Sequence, residues 1–156
     1  IWHVDSAGHL LITSAFEESI NLHSERARTS IQITSSSFDE NVCELEILLS
    51  NNGSSSLLDY SQMDLIIKFS GGNAVVRKFD YADSDISFET NTWQLQLIGN
   101  EFSLEPGIWN PGEDASIKLG LELTEADETH AIAILAAPNG ATTETAIGPL
   151  TAPCVR

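Results

Sequence analysis

The sequence predicts an all-β fold: an antiparallel, immunoglobulin-like β-sandwich of about eight strands, preceded by a short N-terminal amphipathic helix. One observation is the alternation in Val42–Leu49, where Val42, Glu44 and Glu46 point one way and Cys43, Leu45, Ile47 and Leu49 the other, as is typical of a strand with one buried face. A second is the series of short segments rich in β-branched and aromatic residues, separated by Gly, Pro, Asn and Ser turns. No long helical pattern interrupts this series, so packed antiparallel sheets are favoured over an α/β fold.

The helix is predicted over Ala15–Ala27. Ser14 is placed to cap its first turn and Glu17 to complete a capping box. Acidic residues come early and arginines late, as the helix dipole favours. The residues before the helix are expected to form an irregular or strand-like lead-in. We therefore divide the chain into a lead-in segment with a short helix, 1–28, and a β-sandwich domain, 29–156. The helix is expected either to form the base of a stalk or to fold onto the sandwich.

The strands are predicted from the alternating or β-branched segments between turn signals. Gly71-Gly72-Asn73 and Pro138-Asn139-Gly140 each predict a tight hairpin between two of them. The eight predicted strands are Ser30–Ser36, Val42–Leu49, Asp64–Phe69, Ala74–Phe79, Trp93–Ile98, Ser116–Glu122, Ala131–Ala137 and Thr142–Pro149.

The excess of acidic over basic side chains excludes some classes of binding partner. The 156 residues include 23 acidic and 7 basic side chains, which gives a net charge of −16. A surface this acidic repels phosphate backbones and anionic lipids, so no nucleic acid is expected as a partner. The charge favours solubility, cation binding or docking onto a basic protein surface.

The two cysteines, Cys43 and Cys154, allow one intramolecular disulfide. Cys43 falls on the inward face of a predicted strand and Cys154 lies near the C-terminus. A bridge would pin the tail to the sandwich and stabilise the fold by about 3–5 kcal/mol. The alternative is a buried free thiol and an unrelated tail cysteine, and an exported protein would favour the bridge.

Candidates for metal binding and catalysis are few. Asp83, Asp85 and Glu89 lie in an acidic segment whose oxygens suit calcium, although the spacing matches no EF-hand; the alternative is a solvated loop. The four histidines are scattered, without zinc-ligand spacing. No Gly-x-Ser-x-Gly elbow or Cys–His pairing is present. We expect no enzymatic activity and no cofactor other than calcium.

Four turn-and-strand patterns carry a resemblance to a known family. A basic segment leads into a strand at Glu25–Ile33, and a strand ends in the turn Asn51-Asn52-Gly53-Ser54. The next strand opens on Met63-Asp64, and Trp109-Asn110-Pro111-Gly112-Glu113 precedes a later strand. This arrangement, over roughly Glu25 to Pro149, resembles the extracellular domain of archaellum accessory (stator) proteins of the FlaF and FlaG kind and their archaellin, type IV pilin-like relatives.

The resemblance implies a non-enzymatic, extracellular structural component of a filament apparatus at the cell surface, acting through protein–protein contacts. It implies either an accessory anchoring domain or a filament subunit. The expected partners are other filament subunits or a surface-layer or envelope protein, with homo-oligomer formation. Membrane contact is expected only through a helix that this chain does not include. The residues expected to line the contacts are Asn52, Gly53, Met63, Trp109 and Glu113.

The alternative function is an exported carbohydrate- or calcium-binding β-sandwich module. Aromatic side chains form carbohydrate platforms when they lie on an open face, and more often they fill a core. The candidates for such a platform are Trp2, Tyr60, Tyr81, Trp93 and Trp109.

Overall fold

The computed structural model of the protein describes residues 6–70, 75–82, 91–98, 107–124 and 130–155, with side chains described from Ser14 onward. One helix, α1, covers Ser6–Arg28, and a single 3-10 turn covers Tyr60–Gln62. The strands are β1 Ile31–Asp39, β2 Glu44–Asn51, β3 Leu57–Leu58, β4 Asp64–Phe69, β5 Val76–Tyr81, β6 Thr92–Ile98, β7 Ile108–Trp109, β8 Asp114–Gly120, β9 Ala131–Ala136 and β10 Thr142–Ile147.

The larger strands form an eight-stranded sheet in the order β1-β2-β8-β6-β5-β4-β9-β10. It consists of two halves, which we call the first layer (β1, β2, β8, β6) and the second layer (β5, β4, β9, β10). Among the described residues, the strands of the two layers pair with each other through a short parallel pairing of β5 with β6, at Asp80↔Thr92 and Tyr81↔Trp93. At the far edge β10 packs against β1. The sheet thus folds over on itself, and the predicted all-β sandwich with a preceding helix is confirmed.

The core lies between the inward faces of the two layers. Alternation along β2 buries Leu45, Ile47 and Leu49 to 1% exposure each, because successive side chains of a strand point to opposite faces. The second layer contributes Leu65, Ile67, Phe69 and Phe79 from β4 and β5, and Ala131, Ala133 and Leu135 from β9. All of these side chains belong to one apolar cluster. In the part of the chain that the structure describes, the inward residues of both layers thus pack into one core.

Two features differ from the predicted strand arrangement. The β5–β6 pairing is parallel, so the antiparallel pattern has one exception. β3 and β7 form a separate two-stranded sheet, with Leu57 opposite Trp109, which the sequence did not predict. Two-residue strands are too short to show a period of two, which explains why they were missed. The predicted hairpin at Gly71-Gly72-Asn73 lies outside the described residues, whereas the turn around Asn139 joins β9 to β10.

The N-terminal helix is longer than predicted. The expected irregular lead-in is wrong for residues 6–12, which are helical, and Ser14 lies inside the helix rather than capping it. The capping box pattern therefore does not mark a terminus here, since Ser and Glu also occur in helix interiors. Every side chain from Ser14 to Arg28 is exposed, including Phe16 at 67% and Ile20 at 52%. The helix consequently projects from the sandwich instead of folding onto it.

Within the described residues, no helix combines the length and the apolar content that crossing a bilayer requires.

Candidate protein-binding face

The outward side of the second layer, which we call the second-layer face, carries an unusual number of apolar side chains. Alternation places one residue in two of each strand on this side. Ile66 of β4 lies opposite Ile134 of β9, and Lys68 of β4 lies opposite Ile132. The apolar members of the second-layer face are Ile66, Val76, Ile132, Ile134, Ala136 and Ala146.

Strand β9 shows most clearly that this face is apolar. Its sequence, Ala-Ile-Ala-Ile-Leu-Ala, has no polar residue on either side. The inward set is fully buried, whereas Ile132 and Ile134 point outward and are partly exposed. Strands that face water on one side normally alternate apolar with polar residues, and continuous apolar strands are typical of sheets covered on both faces. β9 therefore has the composition of a strand whose outer face is covered.

The charges on the second-layer face are mixed, because Lys68 and Lys78 lie on it together with Asp64 and Asp80. Lys68 and Lys78 are two of the three lysines in the sequence. Lys78 Nζ forms an ion pair with Asp64 Oδ1 at 2.7 Å, and both side chains are more than half exposed. The hydrogen bond and the charge of Asp64 raise the pKa of Lys78, so the ammonium is fully charged at neutral pH. Glu144 of β10 points outward at the opposite side of the face.

The outward side of the first layer is different in character. β1 presents Gln32, Thr34 and several serines, and β6 presents Gln94 and Gln96. Ser116 of β8 donates a hydrogen bond to Glu46 Oε1 at 2.7 Å, and Lys118 pairs with Glu44 at 3.5 Å. Leu48 on β2 and Ile98 on β6, which is 47% exposed, are the apolar exceptions on this face. This polar face is the usual outer surface of a soluble sandwich, and the contrast singles out the second-layer face.

The projecting helix is attached to the sandwich at a tightly built junction. Ser54 donates its backbone N–H to the Arg28 carbonyl at 2.8 Å, and Asn52 donates to the Ser30 carbonyl at 2.8 Å. Thr29 is held by Asn139, whose Nδ2 donates to Thr29 Oγ1 at 2.7 Å. These bonds connect the last turn of α1 to two separate loops. The helix direction is thereby fixed relative to the sandwich.

Asn51 organises the loops at this end from inside the protein. It is fully buried, and its amide nitrogen donates to the carbonyls of Ser55 and Trp109, each at 3.1 Å. Its Oδ1 accepts the N–H of Gly53 at 3.1 Å. The backbone N–H of Asn51 donates to the Glu113 carbonyl, and the backbone N–H of Gly112 donates to the Asn51 carbonyl. One buried side chain thus joins the end of β2 to the β7–β8 loop.

Gly53 has no room for a side chain. A Cβ at this position would lie 2.4 Å from the Arg28 carbonyl oxygen and 2.7 Å from the Ser30 nitrogen, both of which are backbone atoms. We expect Gly53→Ala to destabilise the fold by about 2 kcal/mol, because the junction must separate to admit the methyl group. Urea unfolding measures the loss, and hydrogen exchange at the Asn52 and Ser54 amides reports opening of the junction.

Ser54→Ala is the matched control for this substitution. The Ser54 side chain is exposed and only its backbone N–H contacts Arg28, so this variant should unfold within about 0.5 kcal/mol of the wild type. Equal stability and equally slow exchange for the Gly53→Ala variant would contradict the close approach.

The residues predicted to line contacts with partner proteins lie in the core, in the loop after β7 and at the helix junction. Met63 and Trp109 are core residues, at 3% and 0% exposure, so their side chains do not line a surface. Trp109 is instead held by its Nε1–H, which donates to the Glu113 carbonyl at 2.8 Å. Glu113 accepts the Asn110 N–H at 2.7 Å and so shapes its own loop. Gly53 packs against the backbone of Arg28 and Ser30 at the helix junction, and Asn52 is exposed beside it.

The metal candidates and Trp2 are not tested by the structure, whereas the positions of the other aromatic candidates are defined. Asp83, Asp85 and Glu89 lie outside the described residues. In the described part of the chain, no three acidic, histidine or cysteine side chains converge as a metal site would require. Trp93 and Trp109 are fully buried, and Tyr81 packs edge-on against Trp93 with 5.0 Å between ring centres. These aromatic residues fill the core rather than form an open platform.

The structure joins Cys43 to Cys154 by a disulfide across a sequence separation of 111 residues. The tail is held further by backbone hydrogen bonds in both directions between Leu123 and Cys154. Leu150 and Cys154 are buried, so the last described residues close the side of the core. This end of the sandwich is therefore fixed covalently.

The residues of the second-layer face were not among the predicted contact residues. The signal for them was present in the sequence, since Ala131–Ala136 is apolar at every position. The outward position of Ile66 was also given by the period of two in β4. Their adjacency depends on the β4–β9 pairing of strands distant in sequence, which no local pattern specifies.

Together these features define a class of protein: a two-layer β-sandwich on a projecting N-terminal helix, with one apolar outer face. Its structure is similar to that of the archaellum periplasmic stator protein FlaG from Sulfolobus acidocaldarius, with a TM-score of 0.55 and 16% identity, covering 76% of this chain and 99% of that chain. It is also similar to a chain in the complex of the periplasmic stator proteins FlaF and FlaG from that organism, with a TM-score of 0.53 and 16% identity, covering 75% of this chain and 87% of that chain. The likeness establishes a shared fold.

Sequence comparison adds no relative to these structures. No family model matches the chain, and no curated protein sequence matches it.

Proposed function

We propose that this protein is a non-enzymatic structural subunit of an archaellum-type filament apparatus, located in the cell envelope, that binds partner proteins through its second-layer face. The observation that carries the proposal is the apolar outer side of β9 and β4, at Ile66, Ile132 and Ile134. The fold is shared with archaellum stator proteins, which supports an accessory, anchoring role over that of a filament subunit.

The contacts at this face suit a protein partner. A sheet surface that combines outward apolar residues with charged residues has the composition of a protein–protein interface. The lysines lower the acidity of the face, so an acidic partner is tolerated there better than elsewhere on a chain of net charge −16. Other archaellum subunits, or an envelope protein, are the partners we propose.

The projecting helix has a compatible role as a stem. Its junction with the sandwich is fixed by hydrogen bonds from Asn52, Ser54 and Asn139. Because the helix is fixed to the sandwich, the second-layer face has one orientation relative to the protein or membrane that binds the helix. We propose that the helix connects the sandwich to the rest of the apparatus at the envelope.

The proposal is tested by restoring motility in the source organism after deletion of the gene. The wild type and Leu48→Asp should restore swimming, whereas Ile134→Asp should reduce it at least about tenfold, because a buried unpaired carboxylate at an interface costs more than one factor of ten in affinity. The side chains of Leu48 and Ile134 both point outward and are partly exposed, so each variant should fold.

Circular dichroism and cellular protein levels check that the variants are folded and present. Leu48→Asp is the matched control because it places the same charge on the outer face of the other layer. Full swimming with the Ile134→Asp variant would contradict the proposed role of the face, and a loss of swimming on gene deletion is required for the proposed function itself.

A further inference from the structure

One row of the second-layer face carries opposite charges at its two ends. Lys78 lies opposite Ile66, Ile66 opposite Ile134, and Ile134 opposite Glu144. These residues therefore form one row across β5, β4, β9 and β10. The row has a positive charge at one end, two isoleucines in the middle and a negative charge at the other end.

Lys78 and Glu144 are too far apart to neutralise each other within one chain. Neighbouring strands are about 4.8 Å apart, so the ends of the row are separated by about 14 Å. Of the described acidic residues, Asp64 is the one that pairs with Lys78, and that pair is largely exposed to solvent. An exposed ion pair contributes little to stability, so Lys78 can readily exchange Asp64 for another acidic partner.

A row of this kind is complementary to itself. Rotation by 180° about an axis that runs between β4 and β9, parallel to the strands, places a second copy face to face with the first. Lys78 then lies opposite Glu144 of the second copy, and Ile66 lies opposite Ile134. Because the contact is two-fold symmetric, the charge pair is formed twice.

The adjacent row agrees with this arrangement. Val76 lies opposite Lys68, Lys68 opposite Ile132, and Ile132 opposite Ala146. The same rotation sets Val76 against Ala146, and it sets Lys68 against Ile132, which the methylene groups of the lysine can cover. Neither of these rows brings two like charges into opposition, and in the third row the same rotation sets Asp64 against Ala136, although the chain as a whole carries a net charge of −16.

We propose that the second-layer face binds a second copy of this chain, in a two-fold symmetric, face-to-face dimer fixed by Lys78 and Glu144. This deepens the proposed function, on which it rests, by naming the partner of the same face. A face four strands wide offers about 400 Å² per copy, below the roughly 800 Å² per partner of a stable interface. The dimer is therefore weak in solution and is reinforced where subunits are held close together.

Charge-exchange variants test the pairing by sedimentation equilibrium, from about 10 µM to about 1 mM at 0.15 M salt, a range suited to a weak interface. The wild type should show a mass that rises with concentration. Lys78→Glu and Glu144→Lys should each weaken association at least about tenfold, since each sets like charges opposite each other twice.

Mixing the two variants gives the decisive result. One chain then carries glutamate at both positions and the other lysine at both, so a mixed dimer forms two opposite-charge pairs. The equimolar mixture should recover association to within about threefold of the wild type. The double variant, Lys78→Glu with Glu144→Lys, should recover association by itself for the same reason.

Lys118→Glu and Glu44→Lys are the matched controls, because they make the same changes of charge on the outer face of the first layer. They should leave association unchanged. A wild type that stays monomeric throughout, a mixture that stays monomeric, or equal weakening by the control variants would overturn the dimer. If the dimer is overturned while Ile134→Asp still abolishes swimming, the face binds a different protein and the proposed function stands.

Discussion

Replacing Cys43 and Cys154 together by serine is expected to lower the free energy of unfolding by about 4 kcal/mol, the largest effect of any change considered for this chain. The bridge joins residues that are 111 positions apart, so its loss frees nearly the whole sandwich sequence in the unfolded state. Both positions are buried, and serine brings a hydroxyl into the core in place of each sulfur. Urea unfolding of the two proteins measures the difference.

A thiol reductant supplies the control for the disulfide variant. Reduced wild type should unfold close to the serine variant, and the serine variant should be insensitive to the reductant. A difference below about 1 kcal/mol between oxidised wild type and variant would show that the bridge does not restrict the unfolded chain as its long loop requires.

Asn51→Ala is expected to cost about 3 kcal/mol, the second-largest effect. The substitution leaves the carbonyls of Ser55 and Trp109 and the N–H of Gly53 without their side-chain partner in a buried region. Unsatisfied buried polar groups lose their hydration without gaining a bond, which is why the loss exceeds that of an exposed hydrogen bond. Thermal and urea unfolding both report it.

Asn52→Ala is the matched control, because the neighbouring asparagine is exposed and bonds through its side chain only to Gln32 and Ser50. This substitution should lower the free energy of unfolding by no more than about 0.5 kcal/mol. Comparable destabilisation by the two alanine variants would mean that Asn51 is not the residue that holds these loops together.

Much of the sandwich follows from local sequence patterns. The period of two predicted for Val42–Leu49 correctly assigned Leu45, Ile47 and Leu49 to the core, because a strand with one buried face leaves no other arrangement. Cys43 is buried as predicted, but it lies in the turn before β2 with a φ of 50°, so the predicted start of this strand was wrong. β4 was predicted with the boundaries that it has, between turn signals on both sides. The start of α1 was wrong, since Ser14 and Glu17 form a capping pattern that is equally compatible with a helix interior.

The candidate binding face depends on information that is not local. Whether Trp109 covers a surface or fills the core is decided by its pairing with Leu57 and its contact with Asn51, 58 positions away. The row of Lys78, Ile66, Ile134 and Glu144 exists only because β4 lies between β5 and β9. The sequence predicts which way each side chain points, and the topology decides which of them are neighbours.

The central claim, that the second-layer face is a docking surface, is tested most directly by amine labelling of the chain's own lysines. Lys68 and Lys78 lie on this face, and Lys118 lies on the outer face of the first layer. The Lys78 and Lys118 side chains are 58% and 40% exposed in the isolated chain, so both are accessible to reagent. Mass spectrometry of dilute purified protein and of isolated cell envelopes gives the labelling at each position.

In the envelope, labelling of Lys68 and Lys78 should fall at least about fivefold relative to the purified chain, the extent expected for lysines enclosed in an interface, while labelling of Lys118 should be unchanged. Unchanged labelling of Lys68 and Lys78, with protection of Lys118 instead, would place the contact on the first layer and contradict the claim.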